Sequence, residues 1–134
     1  MAINPFKSSH SIIISDIDRI LACAHSYKEA FRTLKELEQD MVVYFKLQDV
    51  AFYDQLCERC QDDSSALKIL GFLRNDIVDC KIQFLDFMDR FPANVDQIRS
   101  KNFGREFCIF SRRLLERIAT EEAVLFPILD KNHQ

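Results

Sequence analysis

The feature that most restricts the fold is a set of four long segments in which apolar residues recur every three or four positions. This spacing places the apolar residues on one stripe of an α-helix rather than on one face of a β-strand. The segments cover about 9–25, 27–60, 65–91 and 104–130. The chain has only 2 glycines and 3 prolines and no Asn-Gly or Asp-Gly pair, so it lacks the usual residues of the tight turns of an all-β fold. We therefore expect four helices.

Polar residues between the segments predict where these helices begin and end. Ser26 and Glu29 have the spacing of a capping box that opens the second helix, and the run 61–65 supplies N-cap residues for the third. Pro92 ends the third helix and begins a connection, 92–102, with room for a helical turn at 95–98. Short connections and 134 residues favour one domain (1–134), an all-α, up-down-up-down antiparallel four-helix bundle.

Pro127 falls in the last turns of the fourth helix and is expected to distort its end, because proline lacks the backbone N–H that an α-helix needs.

The apolar stripes predict which residues face the core. The stripe of the first helix is read as His10, Ile14, Ile17, Leu21 and Ala24. The other three stripes include Ala30 to Leu56, Leu70 to Phe91, and Phe107 to Ile128.

Charge and targeting signals narrow the class of function. The formal net charge is −3, and the densest basic group is Arg112, Arg113 and Arg117, so nucleic-acid binding is not expected. No run approaches the ~18–20 apolar residues of a membrane span, and the first residues lack a signal-peptide core. The sequence predicts a cytoplasmic protein without a membrane partner.

The cysteines do not follow a pattern with known chemistry. There are 5 of them, at irregular spacing, unlike a secreted disulfide framework. Cys57 and Cys60 form a CxxC motif, but they lie late in a predicted helix, away from the N-terminal end whose dipole activates a redox thiol. No second pair completes a zinc site. We interpret the motif as incidental.

The second and fourth helices share a sequence template. The second helix carries YFxxQDxxFYxxL (residues 44–56), and the fourth carries RIxxEExxLFxxL (residues 117–129). This template resembles that of the hemerythrin-like (HHE) family, in which both helices carry His-x-x-x-Glu followed by a Leu/Phe-Pro-x-Leu tail. The resemblance implies a four-helix bundle. In that family the ligands hold a di-iron centre that carries or senses oxygen.

Most ligand positions implied by the resemblance hold other residue types in this chain. Tyr44 and Gln48 stand at the His and Glu positions of the second helix, and Arg117 stands at the His position of the fourth. Only Glu121 and, on the first helix, His10 keep a ligand type. Two iron ions need several imidazoles and bridging carboxylates. We therefore expect no metal cofactor, and a di-iron, oxygen-binding or sensing protein with atypical ligands is the alternative.

Helical spacing suggests what fills the vacated centre. Arg117 and Glu121 are i,i+4 neighbours on one helix face. A buried arginine is costly unless it is paired, so we predict that Glu121 neutralises it and that neighbouring polar groups complete its hydrogen bonds. In the alternative, Arg117 extends to the surface and His10 is partly exposed. The candidate members of this polar plug are His10, Tyr44, Gln48, Cys80, Arg117 and Glu121.

The function predicted from these features is a non-catalytic regulatory or protein-interaction module. No catalytic residues are assigned, because the sequence offers no Ser/His/Asp or Cys/His constellation and no phosphate-binding loop. We expect a protein partner, with homodimer formation as an option. Scattered positions such as Tyr44, Phe52, Arg117 and Glu121 are also similar to the regulator-of-sigma-D family. That looser resemblance implies an anti-sigma-type transcription regulator as a further alternative.

The aromatic residues are the candidate contact surface. Phe45, Phe52 and Tyr53 are candidates for exposure, and a denser set either forms an outward patch or packs in a wide core. That set is Phe84, Phe87, Phe91, Phe103, Phe107 and Phe110.

Overall fold

The fold is an all-α four-helix bundle, seen in a computed structural model that describes residues 3–23, 26–91 and 101–132. Within these ranges there is no β-strand. The elements in chain order are α1 (Asn4–Ala22), α2 (Tyr27–Leu47), α3 (Val50–Arg59), α4 (Ser64–Arg90), α5 (Lys101–Thr120), a π-helical turn (Glu121–Leu125) and α6 (Phe126–Lys131). They make four helical segments: α1, α2 with α3, α4, and α5 with the π-helical turn and α6.

The predicted starts of the second and third helices agree with the structure in position, whereas that of the first does not. Ser26 is the N-cap of α2, but its side chain makes no capping hydrogen bond, so the predicted capping box is wrong. Asp63 caps α4 as expected for the run 61–65, accepting from the Ala66 N–H at 3.0 Å. The first helix begins at Asn4, earlier than predicted, with Pro5 in the first turn, where no N–H is needed. The helical turn expected at 95–98 lies outside the described residues. None of the described helices could cross a membrane.

The predicted second helix is broken at Gln48. α2 ends at Leu47, Gln48 has φ −121° and ψ 41°, and α3 begins at Val50. Asp49 caps the new helix, because its Oδ1 accepts from the Phe52 N–H at 2.8 Å. The prediction of one helix over 27–60 is therefore wrong.

The fourth segment contains a π-helical turn immediately before Pro127. In an α-helix the carbonyl of Ala123 would have no donor and would collide with the proline ring. Here the Phe126 N–H bonds to the Glu121 carbonyl, five residues back, so the turn widens ahead of the proline. The predicted distortion by Pro127 is confirmed, and its form is a π-helical turn.

The core follows three of the four predicted stripes. Nearly all stripe residues of α2, α4 and α5 are buried, Phe52 being half-buried. In α1 the register differs, because Ile13, Ile17 and Ile20 are buried whereas Leu21 is exposed; Ala24 lies outside the described residues. The dense aromatic set of six phenylalanines is buried throughout, with Phe87 stacked on Phe110 at 5.3 Å between ring centroids. Those rings form core and no outward patch, and Tyr53 is buried as well.

Candidate functional site

Arg117 lies at the middle of the bundle with only 1% of its surface exposed. Its Nε donates to Glu121 Oε2 at 2.6 Å. Its Nη1 donates to the Leu73 carbonyl at 3.1 Å and to Asp76 Oδ2 at 3.0 Å. Its Nη2 donates to Gln48 Oε1 at 2.7 Å and to the Tyr53 hydroxyl at 3.1 Å. A guanidinium has five N–H donors, and all of them are used. The buried charge is fully hydrogen-bonded.

Glu121 is the fully buried acceptor at the other end of this network. Its Oε1 accepts from His10 Nε2 at 2.7 Å. Its Oε2 accepts from the Tyr44 hydroxyl at 2.5 Å and Gln48 Nε2 at 3.0 Å, besides Arg117. The carboxylate thus has four donors, which come from α1, α2, the break at Gln48 and α5.

Gln48 links the two charges because its amide carries both a donor and an acceptor. Its Nε2 faces Glu121, while its Oε1 accepts from Arg117 and from the Tyr53 hydroxyl, the latter at 2.8 Å. We call the connected side chains the polar centre; its members are His10, Tyr44, Gln48, Tyr53, Asp76, Arg117 and Glu121.

A second ion pair extends the polar centre to the surface. Asp76 Oδ1 accepts from Arg113 at 2.5 Å, while its Oδ2 accepts from Arg117. The Asp76 side chain is 17% exposed, so this carboxylate joins the buried guanidinium to a half-buried one. The two arginines and two carboxylates balance in charge.

The pKa shifts agree with a charged pair at the centre. Burial alone would raise the pKa of Glu121, but the His10 hydrogen bond, the Arg117 charge and the Tyr44 hydroxyl outweigh it, so that its pKa is lowered. Burial and the neighbouring Glu121 charge raise the pKa of Tyr44 well above its usual range. Burial raises the pKa of Tyr53 to about 12, against the opposing effect of Arg117. Both tyrosines therefore remain neutral donors beside an ionised Glu121.

His10 is held between the polar centre and an aromatic ring. Its imidazole stacks on Phe126 with ring centroids 5.3 Å apart and planes within 9°. Because Glu121 is ionised and only accepts, Nε2 must carry a proton. Nδ1 is buried without a hydrogen bond and lies 3.6 Å from the half-exposed carboxylate of Glu122.

Five of the six candidate residues meet in this network, and Cys80 does not. Cys80 is fully buried nearby, but none of the described hydrogen bonds joins it to the polar centre. Burial raises the pKa of its thiol to about 11, so it stays protonated and packs as an apolar residue. The alternatives in which Arg117 reaches the surface or His10 is partly exposed are wrong, since both are buried.

Sequence reasoning missed Tyr53, Asp76 and Arg113. In an unbroken α-helix Tyr53 would point well away from Gln48, because residues five apart lie roughly 140° apart around the axis. The break after Leu47 changes that direction and brings the hydroxyl onto Gln48. The Asp49 N-cap was the signal that could have found it.

The residues of the polar centre do not fit a di-iron site. The Arg117 guanidinium is in contact with Glu121 and with Gln48, two of the positions that the resemblance assigns to ligands. A metal cation there would face a fixed positive charge and would have to displace four donors from Glu121. Within the ranges that the structure describes, no three His, Cys, Asp or Glu side chains are grouped so as to hold a metal ion.

Comparisons with known proteins give no family for the chain. No family model matches it, and neither the curated proteins nor the solved structures gave a significant match. The hemerythrin-like interpretation therefore depends on the residues described above.

A second cluster of acids lies between α1 and α2, with Asp16 buried, Asp40 half-buried and Glu36 exposed. Asp16 is 3% exposed; its Oδ1 accepts from Arg19 at 2.8 Å, whereas its Oδ2 has no donor. Burial raises the pKa of Asp40 to about 7, aided by a hydrogen bond to Asp16 and by the charges of Asp16 and Glu36, against the effect of Arg19. A protonated Asp40 supplies the donor that Asp16 otherwise lacks.

Asp40→Asn is expected to make the chain more stable than wild type at about pH 8, with the difference disappearing only as the pH falls below the ordinary value of 3.8. The folded chain keeps a proton on Asp40 up to about pH 7, whereas an unfolded chain loses it near the ordinary value of 3.8. Wild-type stability must therefore fall as the pH rises through this window, and asparagine donates to Asp16 at every pH. Urea unfolding at a series of pH values measures the slope. Asp18→Asn, on the exposed side of α1, is the matched control; equal slopes in wild type and Asp40→Asn would contradict the assignment.

Proposed function

We propose that this chain is a non-catalytic, metal-free interaction module that acts by binding another protein. Its frame would be a hemerythrin-like, up-down-up-down bundle in which the polar centre takes the place of the iron ligands. The observation that carries the proposal is the Arg117 guanidinium, buried where the resemblance places a ligand and bonded through all five donors.

Two acids at the polar centre and two buried thiols support a non-catalytic role. Glu121 is fully buried and already accepts four hydrogen bonds. Glu122 is half-exposed, so the two adjacent acids do not face one substrate. Burial raises the pKa of Cys60 and of Cys80, which disfavours the reactive thiolate.

The surface supports binding of a partner. Several large apolar side chains of α2, α3 and α4 are more than two-fifths exposed. They are Val42, Val43, Val50, Phe72, Val78, Ile82 and Leu85. Single exposed apolar residues need no explanation, but a concentration of them on neighbouring helices is typical of an interaction surface.

Iron loading tests the proposal against the di-iron alternative. The purified chain is incubated with ferrous salt without oxygen, desalted and then exposed to air. We expect far less than one iron per chain by elemental analysis and no new near-ultraviolet or visible absorption, because Arg117 repels a cation at Glu121.

A Glu121→Gln variant makes this experiment specific. If wild type retained stoichiometric iron and developed an oxygen-dependent absorption band that Glu121→Gln lost, the metal-free proposal would be replaced by the di-iron alternative. Iron retained equally by both proteins would point to binding elsewhere on the chain.

A further inference from the structure

An open apolar groove of about 390 Å³ runs between α2 and α4. One wall comes from α2 and the start of α3, the other from α4. The apolar side chains that line it are Val42, Phe45, Val50, Ile77, Val78, Phe84 and Leu85. Val42, Val50, Val78 and Leu85 are 44–71% exposed, so the groove presents apolar surface that the bundle itself does not cover.

The two walls run in opposite chain directions. Phe45 meets Phe84 with ring centroids 5.8 Å apart, and Arg74 contacts the Val50 carbonyl at 3.4 Å. On α4 the lining extends from Ile77 to Leu85, about 12 Å along the helix axis. That is the length over which a bound helix presents side chains at i, i+3 or i+4, and i+7.

A lysine stands on each wall of the groove. Lys46 follows Phe45, and Lys81 precedes Phe84 by one turn, so the two residues lie at nearly the same level on opposite walls. Both are exposed, and neither forms an ion pair with an acid of the described chain. The acid in the lining, Asp49, caps α3 and keeps its negative charge at the end of the groove where α3 begins. The groove therefore has an apolar floor and one lysine on each wall.

The shape favours a helix over a small amphiphile. Small-molecule sites enclose most of their ligand, whereas this groove is open along one side. Ile82, more than half exposed and one turn from Val78 but outside the lining, extends the apolar surface beyond what a small ligand would cover. A helix lying along the groove covers both the floor and this outer side chain.

From this combination we infer that the groove between α2 and α4 binds an amphipathic α-helix of a partner protein, whose apolar stripe is flanked on both sides by Asp or Glu. The apolar side chains enter between Val42 and Val78, and the flanking acids pair with Lys46 and Lys81. This inference depends on the proposed function, since it names the chemistry of the partner.

Two synthetic helical peptides test the inference. Both are stapled to the same helicity and carry the same leucine stripe, with Glu at the flanking positions in one and Lys in the other. Fluorescence anisotropy with the full chain is expected to show binding of the Glu peptide and about tenfold weaker binding of the Lys peptide, the effect of two exposed charge pairs. The double variant Lys46→Glu/Lys81→Glu is expected to invert this preference.

Controls separate the groove from general charge and general apolar surface. Val78→Asp is expected to weaken binding of the Glu peptide by about tenfold or more, whereas Ile109→Asp, equally exposed on α5, leaves it unchanged. Lys28→Glu/Lys68→Glu, on the same helices but outside the lining, keeps the wild-type preference. Thermal unfolding of each variant verifies the fold.

Several results would overturn the inference. Binding of an acidic helix would be contradicted if the two peptides bound equally, if neither bound, or if Val78→Asp left binding of the Glu peptide unchanged. If decanoate below its micelle-forming concentration displaced the Glu peptide, and if its own binding depended on the groove residues, the groove would be assigned to a small amphiphile. A dimer that Val78→Asp dissociates assigns it to a second copy of the chain. Failure of the metal-free proposal is recognised separately, by iron uptake at Glu121.

Discussion

Glu121→Gln is expected to lower the free energy of unfolding by about 3–5 kcal/mol at neutral pH, because it removes the main counter-charge of a buried arginine. The substitution also turns the acceptor Oε2, which Arg117, Tyr44 and Gln48 share, into part of a neutral amide with donors of its own. Chemical denaturation followed by circular dichroism measures the difference.

The pH dependence of this variant carries a defined sign. The pKa of Glu121 is lowered in the folded chain, so its contribution to stability is present above the ordinary value of 4.5 and is lost as the pH falls through the folded value. The gap between wild type and Glu121→Gln should therefore narrow in acid. Glu122→Gln, one residue along and half-exposed, is the control and should change stability by less than about 0.5 kcal/mol. Equal denaturation midpoints for wild type and Glu121→Gln would refute the buried pair.

Arg117→Met is expected to cost a similar amount, about 3–5 kcal/mol, because it leaves Glu121 as a buried charge without its cation. It also removes a donor of the Leu73 carbonyl and one of the two donors of Gln48 Oε1. Methionine keeps much of the length of the side chain, so the loss reports charge and hydrogen bonds more than packing. Arg112→Met, exposed on the same helix, is the control and should fall within about 0.5 kcal/mol of wild type.

A double variant measures the coupling between the two charges. Arg117→Met/Glu121→Leu leaves neither charge in the core, so its cost should be smaller than the sum of Arg117→Met and Glu121→Leu measured singly, by about 0.5–3 kcal/mol. Additive costs would mean that Arg117 and Glu121 stabilise the bundle independently, in conflict with the 2.6 Å contact between them.

Helical periodicity was enough to predict the helical class and most of the core. In α2, α4 and α5 the apolar residues occur at one consistent phase, so their buried stripes could be read directly. The buried stripe of the first helix was harder to predict, because Ile12, Ile13 and Ile14 are consecutive and do not show which side of the helix faces the core. Two different stripes can be drawn from His10 in steps of three or four residues. The stripe that is buried passes through Ile13 and Ile20.

Regular helical spacing and the template shared by two helices predicted His10, Tyr44, Gln48, Arg117 and Glu121, and the members that depend on other features were missed. The i,i+4 spacing of Arg117 and Glu121 predicts a pair, and the pair forms. Tyr53 depends on the backbone break at Gln48, which continuous periodicity hides. Asp76 lies beside Ile77 at the border of the α4 stripe, where a charged residue is expected to face solvent. Its second partner, Arg113, comes from another helix, so spacing within α4 does not predict the contact.

The polar centre also determines how the bundle can move. His10, Tyr44, Asp76 and Glu121 come from four different helical segments and converge on one pair of opposite charges. If any one segment moves away from the bundle, that pair loses a hydrogen-bond donor or acceptor while it is still in apolar surroundings. Backbone amides beside the pair should then exchange with solvent only when the whole bundle opens. A partner at the surface would meet helices whose mutual spacing is held from within.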